Sequence, residues 1–159
     1  MNFEDIILKN RSYRRFYEDF EITIDVLSKL IGYARVSASS GNIQGLKFCL
    51  SADRIKNKQL FRHLKWANYL KDWDGPEEGE RPSAYIIILG DTEIHNTIDT
   101  DVGIAAQSIL LGATSMGLGG CMFGSIDRVA LRKELSIPKR FQIPLIVALG
   151  KPKEKIRIE

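Results

Sequence analysis

Apolar residues recur along this chain in short runs of two different periods. Phe3, Ile6 and Ile7 fall at helical spacing and predict a short helix over Phe3–Leu8. Thr23-Ile24-Asp25 can open a second helix. Val26, Leu27, Leu30, Ile31 and Ala34 give it one apolar stripe through about Val36. The run Ser37–Gly45 (SASSGNIQG) is small and polar and reads as a loop, whereas Leu46–Leu50 (LKFCL) alternates as a strand does. A third helix is predicted over Asp53–Leu70, with Ile55, Leu60 and Leu64 on one side. Lys71–Arg81 (KDWDGPEEGER) is acidic and rich in Gly and Pro, so it reads as an exposed loop. Its composition suits a flap beside a site as well as a plain connector. Ala84–Leu89 (AYIIIL) is continuously apolar and reads as a buried strand.

In the second half, Asp101 is expected to cap a helix running to about Met116. That helix is apolar nearly all round, through Val102, Ile104, Ala105, Ile109, Leu110, Leu111, Ala113 and Met116. Such a helix must be enclosed by its own domain or by a partner subunit. Gly117 reads as its C-cap, and Gly119-Gly120 as a tight turn into a strand ending near Phe123. Asp127 caps a helix to Leu135 that Pro138 stops, and Pro144–Leu149 (PLIVAL) is the last strand, ended by Gly150. Four short strands and about five helices, with no repeat, low-complexity stretch or linker, give an α+β fold and one domain over residues 1–159.

Composition narrows the function classes. A chain of 159 residues is long enough for a real core, and a net charge of +3 suits anionic ligands without suggesting a nucleic-acid protein. Cys49 and Cys121 form no CxxC pair, so neither a disulfide framework nor a metal site is indicated. His63 and His95 have no Cys or His at ligand spacing and read as surface or helix residues. The N-terminus carries no signal-like apolar core, and Ala84–Leu89 is far too short to span a membrane; cytoplasm is the expected location.

Three segments interrupt the regular pattern. The first is Asn10-Arg11-Ser12-Tyr13-Arg14-Arg15-Phe16, whose arginines can grip phosphate bidentately beside two aromatic rings. Alone, such a cluster is more often a solvated face or a loose nucleic-acid patch. The second is the Ser37–Gly45 loop. The third, Gly117–Ser125 (GLGGCMFGS), is no dinucleotide fingerprint, because Met122 stands where GxGxxG needs its last glycine. Nor is it a P-loop, since no Gly-Lys-Ser/Thr follows. Gly124-Ser125 at a strand end can let a backbone N–H approach a ligand closely. No Ser–His pair, Cys–His pair or HExxH motif is present, so an enzyme here would draw its chemistry from a cofactor.

Taken together, these segments resemble the FMN-dependent nitroreductase family over nearly the whole chain. RSYRRF is similar to that family's Arg-Ser-x-Arg-x-Phe signature, and SSGNIQ to its Ser-x-x-Asn-x-Gln loop. DVGIAAQSILLGATSMGLGGCMFG resembles its buried helix and following strand, and IVALGKPKEK its last core strand and the turn beyond. The resemblance implies a central, mostly antiparallel sheet of four to five strands flanked by helices, in an interlocked homodimer with FMN at the interface. It implies that Arg11, Ser12, Tyr13 and Arg14 bind FMN from one subunit, Arg11 at the phosphate and Arg14 at the pyrimidine edge. Ser39 and Asn42 would come from the other subunit. Met122, Phe123, Gly124 and Ser125 would line the ring, with the Gly124 N–H at N5. No side chain acts as an obligatory catalytic acid or base.

The implied reaction passes hydride from NADH or NADPH through flavin N5 to a small-molecule acceptor, such as a nitroaromatic or a quinone, in a ping-pong cycle. Trp66, Tyr69 and Trp73 are candidates for an aromatic wall over that acceptor, against core or surface packing. The chain departs from the family in having Asn10 where many members have arginine and Gly45-Leu46 where Pro-Trp is frequent. It also stops at Glu159, before the usual C-terminal arm; Lys151, Lys153, Lys155 and Arg157 are candidate substitutes for the arm's phosphate contact. The rival class is a non-catalytic flavin- or nucleotide-binding module, a sensor or a flavin store. A nucleic-acid binder is disfavoured by the acidic stretch Asp72–Glu80, and no membrane partner is expected.

Overall fold

The computed structural model describes residues 1–67, 69–70 and 72–157. Helix α1 (Phe3–Lys9) leads to the two-residue strand β1 (Phe16–Tyr17), then α2 (Ile24–Arg35) and a 3-10 turn (Ser40–Asn42). There follow β2 (Leu46–Ser51), α3 (Arg54–Phe61), β3 (Ala84–Asp91), α4 (Asp99–Ser115), β4 (Gly119–Phe123), α5 (Arg128–Glu134) and β5 (Phe141–Pro152). Every strand pairing is antiparallel: β2 with β3, β3 with β5, and β5 with β4 and then β1. None of the described helices is long and apolar enough to cross a membrane.

The apolar run of β3 has a simple cause: helices and loops cover both faces of the sheet. Ile86 and Ile88, with Val147 and Leu149 of β5, face Leu27 and Leu30 of α2 and Val102, Ala106, Ile109 and Ala113 of α4. The alternate residues Tyr85, Ile87, Leu89, Ile146 and Ala148 face Leu60, Leu64, Trp66, Phe123 and Leu131. A strand with both faces buried has no polar face to alternate with. Of the apolar positions of α4, Ile104, Leu111 and Met116 are half-buried, and the rest face the sheet and α2. Tyr33 of α2 lies where a Cβ on Gly112 would stand, so the two helices pack closely.

Three predicted elements come out differently. The helix predicted over Asp53–Leu70 ends at Phe61. Leu64 is buried instead through an isolated antiparallel bridge to Ile126, and the Lys65 N–H donates to Ser125 O at 3.1 Å. Pairing with the segment after β4 therefore takes the chain away from helix. Asn68 of that predicted helix and Lys71 of the following loop lie outside the described residues. Asp101 does not cap α4, whose first turn follows Ile98; it lies inside the helix and binds elsewhere. Gly119-Gly120 is no turn but the start of β4, while Gly117, at φ +74°, does close α4.

The last strand is also longer than its punctuation suggested. Pro144 lies in a bulge, where the register shifts between Ile88 and Gly90 and no ladder N–H is needed. Gly150 does not stop β5 but lets Phe16 pack onto it: a Cβ there would lie 2.6 Å from the Phe16 ring, which is fully buried. Gly150→Ala is therefore expected to lower stability by about 1–3 kcal/mol through overpacking. Urea unfolding midpoints of the two proteins check this; an unchanged midpoint would show that Phe16 moves aside freely.

Candidate functional site

The arginine segment meets the end of β4 because their backbones are joined. The Tyr13 N–H donates to Gly120 O at 3.0 Å, and Ser12 and Gly120 form a parallel bridge. Beside this junction opens a cavity of about 580 Å³. Arg11, Ser12, Arg14, Met122, Phe123, Gly124 and Ser125 all line it, so seven of the residues expected from the sequence converge. Asn10, Lys65, Gln107 and Cys121 line it as well. Among its described lining residues are three cations, Arg11, Arg14 and Lys65, and no carboxylate.

Local structure fixes each wall. Arg11 folds back over the end of α1, donating through Nη1 to Asn10 O at 2.6 Å and Ile7 O at 3.3 Å. A cation there suits the negative end of the helix, and guanidinium has further donors to offer. Arg14 Nη1 donates to Ser12 O at 3.2 Å. Opposite, Arg128 holds the segment after β4: its Nη2 donates to Gly124 O at 2.8 Å and its Nε to Ile143 O at 2.8 Å in the β5 bulge. A Cβ built on Gly124 would meet nothing within 4 Å. Gly124 thus borders the cavity at a position where a side chain would stand in open space.

Cys121 borders the cavity with a buried thiol. Burial pushes its thiol up to about 12, with Arg14 opposing and Glu154 reinforcing the shift. Tyr13 does not line the cavity. Its ring occupies the space that a Cβ on Gly119 would need, and its hydroxyl donates to Lys9 O at 2.9 Å. Burial raises its pKa, with Arg11 working against the shift.

The aromatic candidates divide. Trp66 is a core residue, 6% exposed, with its ring edge-on to Phe123 at 4.6 Å; it forms no wall over the cavity, because Leu64 and Trp66 both turn inward once α3 has ended. Tyr69 is fully exposed at the rim. It also borders an adjoining cleft lined by Arg14, Arg15, Trp73 and Glu154, in which the Arg15 guanidinium lies 5.3 Å from the Trp73 ring. The loop carrying Trp73 is tethered. Glu18 accepts the N–H groups of Gly79 and Arg81, Lys58 pairs with Glu78 at 3.0 Å, and Arg15 and Lys153 both pair with Glu80.

Ser39 and Asn42 are not brought to this cavity. They sit on and beside the 3-10 turn, where Ser39 and Asp101 line a separate cavity of about 380 Å³. Buried Asp101 accepts the Ser40 N–H at 2.8 Å and its hydroxyl at 2.9 Å, so it caps this turn and not its own helix. Of the basic residues near the C-terminus, Lys153 is paired with Glu80 at 2.9 Å and Lys151 stands 5.1 Å from the Phe20 ring. Neither they nor Lys155 or Arg157 line the cavity. Lys65 does, and sequence reasoning missed it because the segment was read as helix; the signal available was that no apolar stripe continues past Leu64.

Comparison with known proteins settles the family. The profile described as "Nitroreductase family" matches residues 7–151. The chain belongs to the nitroreductase family. Members of that family are flavin-dependent oxidoreductases, and this chain is an oxidoreductase. An Archaeoglobus fulgidus protein, to which NADH dehydrogenase or NAD(P)H nitroreductase activity is attributed, is 27% identical over 149 residues, covering 89% of this chain and 80% of that one. The NADPH-flavin oxidoreductase of Vibrio harveyi is 25% identical over 172 residues, covering 98% of this chain and 68% of that one. In structure, an FMN-dependent nitroreductase from Clostridium difficile R20291 matches with a TM-score of 0.79 at 24% identity, covering 97% of this chain and 90% of that one. That likeness shows the fold.

Asp101→Ala leaves the Ser40 N–H and hydroxyl without their acceptor and is expected to cost about 1–3 kcal/mol. Asp101→Asn, which keeps one acceptor oxygen, should recover most of the loss. Thermal unfolding of the three proteins measures both effects, and an alanine variant as stable as wild type would refute the cap.

Proposed function

We propose that this nitroreductase-family chain binds FMN in the cavity between the arginine segment and the end of β4, and passes reducing equivalents from NAD(P)H to a small acceptor. The observation that carries this is the cavity itself: three cations, no carboxylate among its described lining residues, and open space where Gly124 lacks a side chain. A phosphate and a flat ring with an electron-rich edge are what such walls fit. When bound, FMN supplies the redox chemistry, accepting hydride at N5 from NADH or NADPH and giving it to an acceptor such as a nitroaromatic or a quinone in alternating half-reactions. The names of the Archaeoglobus and Vibrio relatives support the choice of donor.

The protein's part is positional and electrostatic. Arg11 and Lys65 would hold the phosphate. Arg14 would place its charge at the pyrimidine edge, where the reduced ring becomes negative. Gly124 would offer its N–H at N5 without a Cβ to obstruct the ring, with Ser12, Met122, Phe123 and Ser125 completing the walls. Tyr69 and Trp73 would flank the acceptor from the rim and the adjoining cleft. Ser39 and Asn42, remote from this cavity in their own chain, would reach the flavin of a second copy in a homodimer. The exposed Phe3, Ile7 and Leu8 on α1, a helix with no buried residue, support such a partner.

The purified protein should show a flavin absorption spectrum that bleaches on adding NADH or NADPH and recovers with a nitroaromatic or quinone. A flavin that binds but never bleaches would instead mark a storage or sensing module. Arg14→Ala should keep some FMN but lower its midpoint potential, the lost contact being worth on the order of 1.5–3 kcal/mol. Gly124→Val should lose FMN or its reduction while unfolding within about 0.5 kcal/mol of wild type, because the added side chain meets open space. If Gly124→Val reduces bound flavin at the wild-type rate, the role given to Gly124 is wrong.

A further inference from the structure

One carboxylate joins the end of β5 to the arginine segment. Glu154 Oε1 accepts the N–H of Arg14 and, at 3.2 Å, that of Arg15, from residues 140 and 139 positions earlier in the chain. Next to it, the Lys153 N–H donates to Arg15 O at 3.0 Å. The flanking N–H groups have main-chain acceptors: Tyr13 donates to Gly120 O and Phe16 to Glu80 O at 2.9 Å. The successive N–H groups of Arg14 and Arg15 thus differ from their neighbours in donating to a side chain. Hydrogen bonds to an ionised carboxylate are the stronger kind, and one acceptor binding two successive N–H groups sets the local chain direction. Both hydrogen bonds that Glu154 accepts come from the backbone. Among the described residues the Arg14 guanidinium forms no ion pair, so its charge stays available to the cavity.

We propose that Glu154 is a positioning residue for the cofactor site, whose carboxylate fixes the backbone of Arg14 and Arg15 so that the Arg14 side chain is presented to the flavin. This rests on the role given to Arg14 above. Removing the acceptor frees two adjacent backbone N–H groups and the residue whose placement matters most for the ring edge. The effect runs through geometry, so an uncharged acceptor of equal reach preserves it and a charged one of shorter reach does not.

The test uses the FMN-loaded protein with the variants Glu154→Ala, Glu154→Gln, Glu154→Asp, Arg14→Ala and the double variant Arg14→Ala/Glu154→Ala. For each, the FMN dissociation constant, the flavin midpoint potential and the unfolding midpoint of the apoprotein are measured. Glu154→Ala and Glu154→Asp should weaken FMN binding by about tenfold, one strong hydrogen-bond equivalent, and lower the potential. Glu154→Gln should stay within about threefold of wild type. The double variant should bind FMN no more weakly than Arg14→Ala alone, because the two residues act as one unit. Additive losses in the double variant, or an Asp variant that works while the Gln variant fails, would overturn the proposal. If Arg14→Ala by itself changes neither binding nor potential, the Arg14 reading fails and takes this inference with it, a result distinct from additivity. Should the alanine variant not fold, the Gln and Asp pair decides the matter by the same criteria.

Discussion

The hydrogen bonding of β5 to three other strands holds together parts of the chain that are far apart in sequence. One edge of β5 pairs with β3, and its other edge pairs first with β4 and then with β1. Both of its faces are buried, through Val147 and Leu149 on one side and Ile146 and Ala148 on the other. A strand so enclosed cannot slip, because a shift of one residue would exchange its two faces. Fixing β5 fixes the end of β4, which carries one wall of the cavity, and the start of β1, which leads out of the arginine segment. The Ser12–Gly120 bridge completes the connection. The site is thus a consequence of sheet register, with its loops hung from the sheet's edge.

The parts of this design legible in the sequence are those written in local periodicity. Helix α2 announces itself by the stripe Leu27, Leu30 and Ala34 and by the Thr23 cap. The strand β3 announces itself by an unbroken apolar run. What stayed hidden depends on partners. β1 is two residues long and exists only because Lys151 and Pro152 stand opposite. Gly150 reads as a strand's end and Pro144 as its start, yet one accommodates Phe16 and the other sits in a bulge. Asp101 stands where a helix cap is plausible, and only the fold shows that its carboxylate faces Ser40.

The candidate site divides in the same way. The arginine segment and the strip from Met122 to Ser125 stood out because they broke regular patterns, and the fold brings them to one cavity. Lys65 stood out in no pattern. It reaches the cavity because the chain leaves α3 after Phe61 and runs beside Ser125, a tertiary pairing that overrides moderate helix propensity. The same early exit sends Trp66 into the core, where its ring meets Phe123. The early helix end therefore concealed a cation and decides Trp66, open between acceptor wall and packing, for the core.

The arrangement of charge around the cavity follows from where the acids are spent. Asp72 borders the adjoining cleft with Arg14 and Arg15, and three further carboxylates near the arginine segment or the loop carrying Trp73 have bonded partners. Glu154 binds the N–H groups of Arg14 and Arg15, Glu18 binds those of Gly79 and Arg81, and Glu80 pairs with Arg15 and Lys153. None of the three lines the cavity. Acids turned toward Arg11 or Arg14 would cancel the field that an anionic ligand needs, and acids left unpaired near the wall would repel the ligand directly. Bound to backbone or to the outer cations, they fix the segment's shape, and among the described residues none of them forms an ion pair with Arg11 or Arg14. The buried Cys121 thiol fits this picture. Even with Arg14 near enough to favour a thiolate, desolvation keeps the sulfur protonated, so it adds no negative charge to a wall whose cations remain open to a ligand.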